Sequence, residues 1–313
     1  MLQYDGILLC DKPFGITSHD VINDLRKIIG QKKIGHTGTL DPRATGLIVT
    51  CLGRATKIAQ FFSNMDKTYE AEIRLGARSR TMDAEGIDPD TPLSPIPNLS
   101  ENDIKDLLKT FKGKITQRVP AFSAVKINGQ RLYKLARKNI KVEPPEREVE
   151  IKEIALSEMR MPSIFITVSC SKGVYIRTLA DDIGQKIGCG AYLNKLSRIE
   201  VGQFKLGDAL NLNEIRHLRQ AGSLKKHILQ IESVLPFPSI QVDEKFSPCI
   251  ISGRQPKVKD LIGISDEFKT EDFITLRDHC GQIMAVGKAG VDSHEIDDNF
   301  KGDNFFKYVR VLN

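Results

Sequence analysis

The segment Gly35-His36-Thr37-Gly38-Thr39-Leu40-Asp41-Pro42-Arg43-Ala44-Thr45-Gly46 constrains the fold most, because it sets one carboxylate among three glycines, a proline and an imidazole. Glycine admits positive φ and the close approach of a bulky group, while Pro42 fixes its own φ and drives Asp41 towards an extended conformation. Neither a helix nor a regular strand accommodates that combination, so Asp41 is presented on a shaped turn. The run Gly46-Leu47-Ile48-Val49-Thr50-Cys51-Leu52 reads as a buried strand able to anchor it, and loops on rigid scaffolds are where catalytic groups concentrate. An Asp-Pro turn without chemistry would have the same composition.

At 313 residues, 40% of them apolar, the chain predicts one large or two ordinary domains with ample core. The start, Met1-Leu2-Gln3-Tyr4-Asp5-Gly6, lacks a basic leader, and no apolar run approaches the ~18 residues of a membrane span. A soluble cytoplasmic protein without membrane association is expected. Cys10, Cys51, Cys170, Cys189, Cys249 and Cys280 form no C-x-x-C pair, which predicts reduced structural thiols rather than a disulfide framework or zinc site. The net charge of +6 is uneven: residues 240–313 hold 10 Lys/Arg against 13 Asp/Glu, leaving 36 against 27 for residues 1–239. A polyanionic partner for the first part is plausible on charge, although such a balance is weak support alone.

Leu235-Pro236-Phe237-Pro238-Ser239 cannot continue a helix and reads as a linker after a helical stretch near Leu212 to Ile231. This predicts domains at 1–238 and 239–313. In the second, Asp272–Arg277, Gln282–Val286 and Phe305–Leu312 are strand-like, a small β domain. In the first, strands are expected at Ile7–Cys10, Leu47–Leu52, Thr68–Leu75, Ala124–Ile127, Val149–Leu156, Ile164–Cys170 and Leu196–Phe204. Helices fit Asp20–Ile29, Thr56–Phe62, Ile104–Phe111 and Ile176–Ile187, the third capped by Ser100 after a loop holding Pro89, Pro92, Pro95 and Pro97. Without regular alternation, an α+β fold with a mixed, mostly antiparallel sheet and packed helices is predicted.

Four further clusters carry chemistry. Asp11-Lys12-Pro13-Phe14-Gly15-Ile16-Thr17-Ser18 leads from strand to helix, with Thr17 or Ser18 as cap and Lys12 in a phosphate-binding or structural role; no Gly-x-x-x-x-Gly-Lys pattern indicates ATP. Alternation puts Lys67, Tyr69 and Ala71 on one strand face, where Tyr69 could pack in the core or stack on a base. Arg177 lies in the first turn of a helix, where the dipole disfavours a cation, which points either to a carboxylate partner, with Asp41 and Asp83 as candidates, or to a plain surface arginine. Val119 to Gln130 ends in an Asn-Gly turn, followed by Arg131, Lys134, Arg137, Lys138 and Lys141 with no acid among them. Arg131, Lys134 and Lys138 are expected on one helical face as phosphate contacts.

Together these motifs resemble the TruB family of tRNA pseudouridine synthases from end to end. The resemblance rests on Asp11-Lys12-Pro13-x-Gly15, the Gly35 to Pro42 block, Lys67-x-Tyr69, Met82-Asp83-Ala84, Pro120 to Lys126, and Ser171-Lys172-Gly173-x-Tyr175-Ile176-Arg177-Thr178-Leu179. It implies the pseudouridine synthase fold, a PUA-like C-terminal domain, and isomerisation of uridine 55 in the tRNA T-arm loop. By the same resemblance Asp41 is the catalytic aspartate, Arg177 its ion-pair partner and Asp83 part of their network. Tyr69 stacks on the flipped base, Tyr175 packs beside the nucleotide, and His36 meets the extruded T-loop. Lys12 and Pro13 support the floor, Lys126 and Leu196 line the site, and residues 119–148 form a thumb that orders over RNA. Ser79-Arg80-Thr81 departs from the family in lacking an aspartate before the threonine.

The implied reaction breaks N1–C1′ and makes C5–C1′, so uracil must be detached, turned and rejoined inside a closed pocket. Neither cofactor nor metal is called for, and a monomer without an obligatory protein partner is expected. The rival reading is a non-catalytic tRNA-binding or folding protein that uses the same pocket; a guide-RNA-dependent enzyme is a second.

Overall fold

A computed structural model describes residues 3–312 apart from 89, 91, 124, 128, 139, 141, 298, 299 and 301–304. Four details expected above, at Pro89, Ala124, Asn128 and Lys141, therefore lie outside the described residues. The larger sheet is built from β1 (Gly6–Lys12), β2 (Ile34–His36), β3 (Thr45–Leu52), β4 (Lys67–Leu75), β5 (Gly113–Arg118), β8 (Glu146–Arg160), β9 (Ser163–Cys170), β10 (Ala191–Val201) and β11 (Phe204–Lys205). Between β5 and β8 stands a separate short ribbon of β6 (Lys126–Ile127) and β7 (Gln130–Arg131). The main path runs β1-β3-β10-β4-β9-β8-β5, with β2 on β3 and β11 on β10. Every pair is antiparallel except β3 with β10. The mixed, mostly antiparallel α+β architecture is thus the one expected.

The near-continuous apolar run of β3 follows from burial on both faces. Ile48 and Leu52 point to one side, where Val21, Ile22, Leu25 and Ile29 of helix α1 (Ser18–Ile29) pack. Leu47, Val49 and Cys51 point to the other, against Phe61, Phe62, Val234 and Leu235. Thr17 caps α1 in a capping box with Asp20. Ser18 is thereby free to hold the next loop, its hydroxyl accepting from Leu40 N at 2.8 Å. Ala71, Ile73 and Leu75 of β4 face a third core with Ile164, Ile166 and Val168, covered by α3 (Glu101–Lys109) and α5 (Ile176–Ile187). Ser100 caps α3 as expected.

The expected helix at Thr56–Phe62 is a 3-10 turn, Gly53–Ile58, continued by the short α2 (Ala59–Ser63). The stretch from Leu212 to Ile231 likewise divides into α6 (Leu212–Gln220), a 3-10 turn at Leu224–His227 and α7 (Ile231–Val234), because Gly222 adopts φ +72° and breaks the run. Strand β10 begins at Ala191, five residues before the expected start, and ends before a turn at Gly202.

The second sheet comprises β12 (Ser239–Val242), β13 (Leu261–Ser265), β14 (Phe273–Arg277), β15 (Ile283–Ala289) and β16 (Phe306–Val311), in the order β13-β12-β14-β15-β16. One side holds its own core of Ile240, Val242, Ile274, Leu276, Phe305 and Phe306. From the other, Ile283, Val286 and Leu312 join the core beneath β1 and β3. Phe237 meets Phe61 edge-on at 5.4 Å, and Phe61 meets Phe273 at 5.1 Å, so aromatic packing closes this junction.

Candidate active site

Asp41 stands on the turn between β2 and β3, closed by a bond from Ala44 N to the Asp41 carbonyl at 3.0 Å. Lys12 underpins the turn. Its side chain is wholly buried, and Nζ donates to the carbonyls of Pro13 at 2.9 Å, Pro42 at 3.1 Å and Ala44 at 2.6 Å. Burial lowers the Lys12 pKa, opposed by the charges of Asp41 and Asp11. A glycine is obligatory at position 46: φ is +100°, and a Cβ would lie 2.4 Å from the Arg198 carbonyl oxygen.

Arg177 enters from the first turn of α5. Its Nε lies 3.0 Å from Asp41 Oδ2 and its Nη1 3.5 Å from Asp83 Oδ2, so it answers to both candidate partners. The remaining donors reach the carbonyls of Thr81 at 3.3 Å and Phe122 at 3.1 Å. This resolves the misplaced cation, since α5 has no acid in its own first turn and the two carboxylates come from elsewhere. Gln117, wholly buried, performs the capping that Tyr175 cannot: its Oε1 accepts from Tyr175 N at 2.9 Å. Asp83 is held by Thr81 Oγ1 at 2.5 Å and by Glu85 N at 3.0 Å.

Burial raises the Asp41 pKa above the ordinary carboxylate value; Arg177 and Lys12 pull it down, and Asp83 pushes it up. The carboxylate nevertheless opens onto a cleft of about 710 Å³, lined also by Tyr69, Thr81, Asp83, Tyr175, Arg177 and Leu196. Tyr69 packs at the junction of two cores, and burial raises its hydroxyl pKa, with the charge of the Arg198 guanidinium opposing the rise. The register explains the convergence: Arg198 of β10 pairs with Tyr69 of β4 on one side and with Gly46 of β3 on the other. Tyr175 is half-buried, with the Arg147 guanidinium 5.4 Å from its ring centre.

Other expected residues lie outside the cleft. Lys12 stays beneath the loop as its support, Pro13 contributes a carbonyl to that support, and Lys126 stands exposed on β6. His36 is on β2 away from the lining, its Nδ1 buried without a partner among the described residues; burial, then Arg198 and His19, lower its pKa, opposed by the Gly38 backbone. The basic segment departs from expectation because its helix, α4, covers only Leu132–Arg137. Arg131 precedes the helix and Lys138 follows it, so of the three only Lys134 lies within it. Arg131, Tyr133 and Arg137 line the cleft; Lys134 and Lys138 do not.

Arg198 was not anticipated. It is 2% exposed and donates to the carbonyls of Leu47 at 2.8 Å and Gly38 at 3.1 Å, tying the Asp41 loop to β10. Its spacing of two from Leu196 on a strand was the available signal. Among the described residues, no group of three or more His, Cys, Asp or Glu could hold a metal ion.

Residues 26–176 match the family model of the TruB family pseudouridylate synthase N-terminal domain, and residues 177–236 match the tRNA pseudouridylate synthase B C-terminal domain. The chain is 42% identical over 279 residues to tRNA pseudouridine synthase B of Staphylococcus aureus (strain JH9), covering 85% of this chain and 92% of that one. It is 39% identical over 290 residues to that of Bacillus pumilus (strain SAFR-032), covering 90% and 92%. Among solved structures it is similar to an H/ACA RNP bound to a substrate RNA containing 2′-deoxyuridine, with TM-score 0.75, 23% identity, and 98% and 85% of the two chains covered. A Cbf5-Nop10-Gar1 complex gives TM-score 0.74 at 25% identity with the same coverage. Over a shared fold, with relatives about two-fifths identical along most of its length, the chain belongs to the TruB family of pseudouridylate synthases.

Proposed function

We propose that this protein converts uridine 55 in the T-arm loop of tRNA to pseudouridine, acting in the cytoplasm as a monomer that needs neither guide RNA nor protein partner. The observation that carries the reading is the Asp41–Arg177 pair, 3.0 Å apart at the base of a cleft large enough for a nucleoside. The curated relatives named tRNA pseudouridine synthase B support tRNA as the substrate.

Uridine must first leave its stack, at a cost of a few kcal/mol, and Tyr69 offsets part of this by stacking worth about 1–3 kcal/mol. Asp41 then acts as an ionised carboxylate. Burial makes it a stronger base than an ordinary aspartate, and Arg177 keeps it charged and aimed. In the preferred route Asp41 removes the C2′ proton, the C1′–N1 bond cleaves, and a glycal and uracil anion result. The detached uracil turns against Tyr69 and Leu196, Asp41 returns its proton to C2′ as C5 bonds to C1′, and the proton then lost from C5 to solvent is balanced by the one that the freed N1 takes up. Residues 239–313 form a PUA-like domain in this reading, and residues 119–148 a thumb over the RNA.

The test is mass spectrometry of tRNA incubated with the protein, after carbodiimide labelling to mark pseudouridine. A single new label at position 55 is expected; unlabelled tRNA, or a label elsewhere, rejects the reading.

A further inference from the structure

Arg43 follows Asp41 by two residues and is half-buried on the wall of the same cleft. Among the described residues its guanidinium has neither an acidic partner nor a hydrogen-bond acceptor. Nε is shielded from solvent and unpaired, and the group that holds it is the Phe14 ring, whose centre lies 5.2 Å away. Phe14 in turn is 58% exposed, so the fold gains little by keeping a phenyl ring there. A partly dehydrated cation without an anion, backed by an exposed aromatic, is costly unless a ligand completes it.

The position is fixed. Lys12 Nζ grips the carbonyls on both sides of Arg43, those of Pro42 and Ala44, and Gly15 N donates to Pro42 O at 2.9 Å, locking the Phe14 loop to the Asp41 loop. Nor is the charge of Arg43 spent on Asp41, whose ionisation answers to burial, Arg177, Asp83 and Lys12.

We propose that Arg43, splinted by Phe14, binds a backbone phosphate of the substrate RNA beside the nucleotide that enters the cleft. The inference rests on the reading that RNA occupies this cleft. A guanidinium presents paired N–H donors matched to phosphate oxygens, and the ring face holds its plane without competing for those donors. The phosphate anchors the strand at the mouth while the base passes inward to Asp41, which makes Arg43 a positioning residue.

The test measures binding of a T-arm stem-loop RNA across a range of salt by the wild type, Arg43→Gln, Arg43→Lys and Phe14→Ala. RNAs carrying one neutral methylphosphonate at each phosphate flanking the target uridine are run in parallel. Arg43→Gln is expected to weaken binding about tenfold, the size of one charge-assisted hydrogen bond, and to flatten the log–log salt slope by about 0.7. Arg43→Lys restores the slope but only part of the affinity, and Phe14→Ala weakens binding with little change in slope. One methylphosphonate weakens the wild type and adds nothing to Arg43→Gln. Unchanged affinity and slope in Arg43→Gln, or independent penalties at every phosphate, overturn the proposal. If the wild type makes pseudouridine while Arg43→Gln binds normally, this inference alone falls; if the wild type does not bind the RNA, the reading beneath it falls too.

Discussion

Arg177 Nε meets Asp41 Oδ2 at 3.0 Å, yet the arginine side chain is 7% exposed and the carboxylate 45%. The cation is locked in protein by four partners while the anion faces the cleft, the arrangement that the proposed role of Asp41 as an oriented base requires.

Asp41→Asn is expected to abolish product formation, with tritium release from 5-tritiated uridine at background, while RNA affinity stays within a few fold. The same change is expected to raise the melting temperature at neutral pH. Burial raises the folded-state pKa of Asp41, so between the unfolded value of 3.8 and that raised value the folded state holds more protons, and stability falls as pH rises. Asparagine escapes that loss. A difference in melting temperature that fails to shrink as pH falls towards 3.8 would contradict this account.

Arg177→Gln should move the acid limb of the pH–rate profile to higher pH. Arg177 is the largest influence lowering the Asp41 pKa, and its removal leaves burial and Asp83 both pushing upward. Loss of rate with the limb unmoved would assign Arg177 a purely geometric role.

Tyr69→Leu is expected to reduce kcat/KM by roughly 10–100-fold, the equivalent of losing one base stack. Tyr69→Phe keeps the ring and loses only the hydroxyl, so a smaller loss is expected. Equal losses in single-turnover assays would shift the role from the ring to the hydroxyl.

Around α4, Arg131 and Arg137 line the cleft and Lys138 does not. Neutralising the two arginines should flatten the salt slope of RNA binding by about 1.4, roughly 0.7 for each phosphate left without its cation. Lys138→Gln should leave it unchanged; the reverse order would mean that RNA approaches from the other side of the helix.

Much of this was legible because local chemistry and tertiary environment agree. Helix α5 has the bounds its periodicity predicts, Ile176–Ile187, since a left-handed Gly188 ends it. Asp41 and Arg177 each stand out locally, Asp83 and Tyr69 gain their roles through the family resemblance, and the fold brings all four to one cleft. Strand β5, Gly113-Lys114-Ile115-Thr116-Gln117-Arg118, was missed because it is an edge strand with a polar face, and its buried Gln117 looks like any solvated glutamine until α5 needs its cap. Arg198 offers only its spacing of two from Leu196, because its partners are the carbonyls of Leu47 on β3 and of Gly38, 151 and 160 residues away. The basic segment misled because periodicity was extended past the ends of a six-residue helix.

Strand β3 begins only four residues after Asp41, and its Leu47, Val49 and Cys51 share a core with Ile283, Val286 and Leu312. Residues 283–312 are therefore one side-chain layer from the strand that follows the Asp41 turn. Trimming the tail would strip Phe61 and its neighbours of their cover and slacken that strand, so truncation reports on mechanical support before it reports on RNA binding.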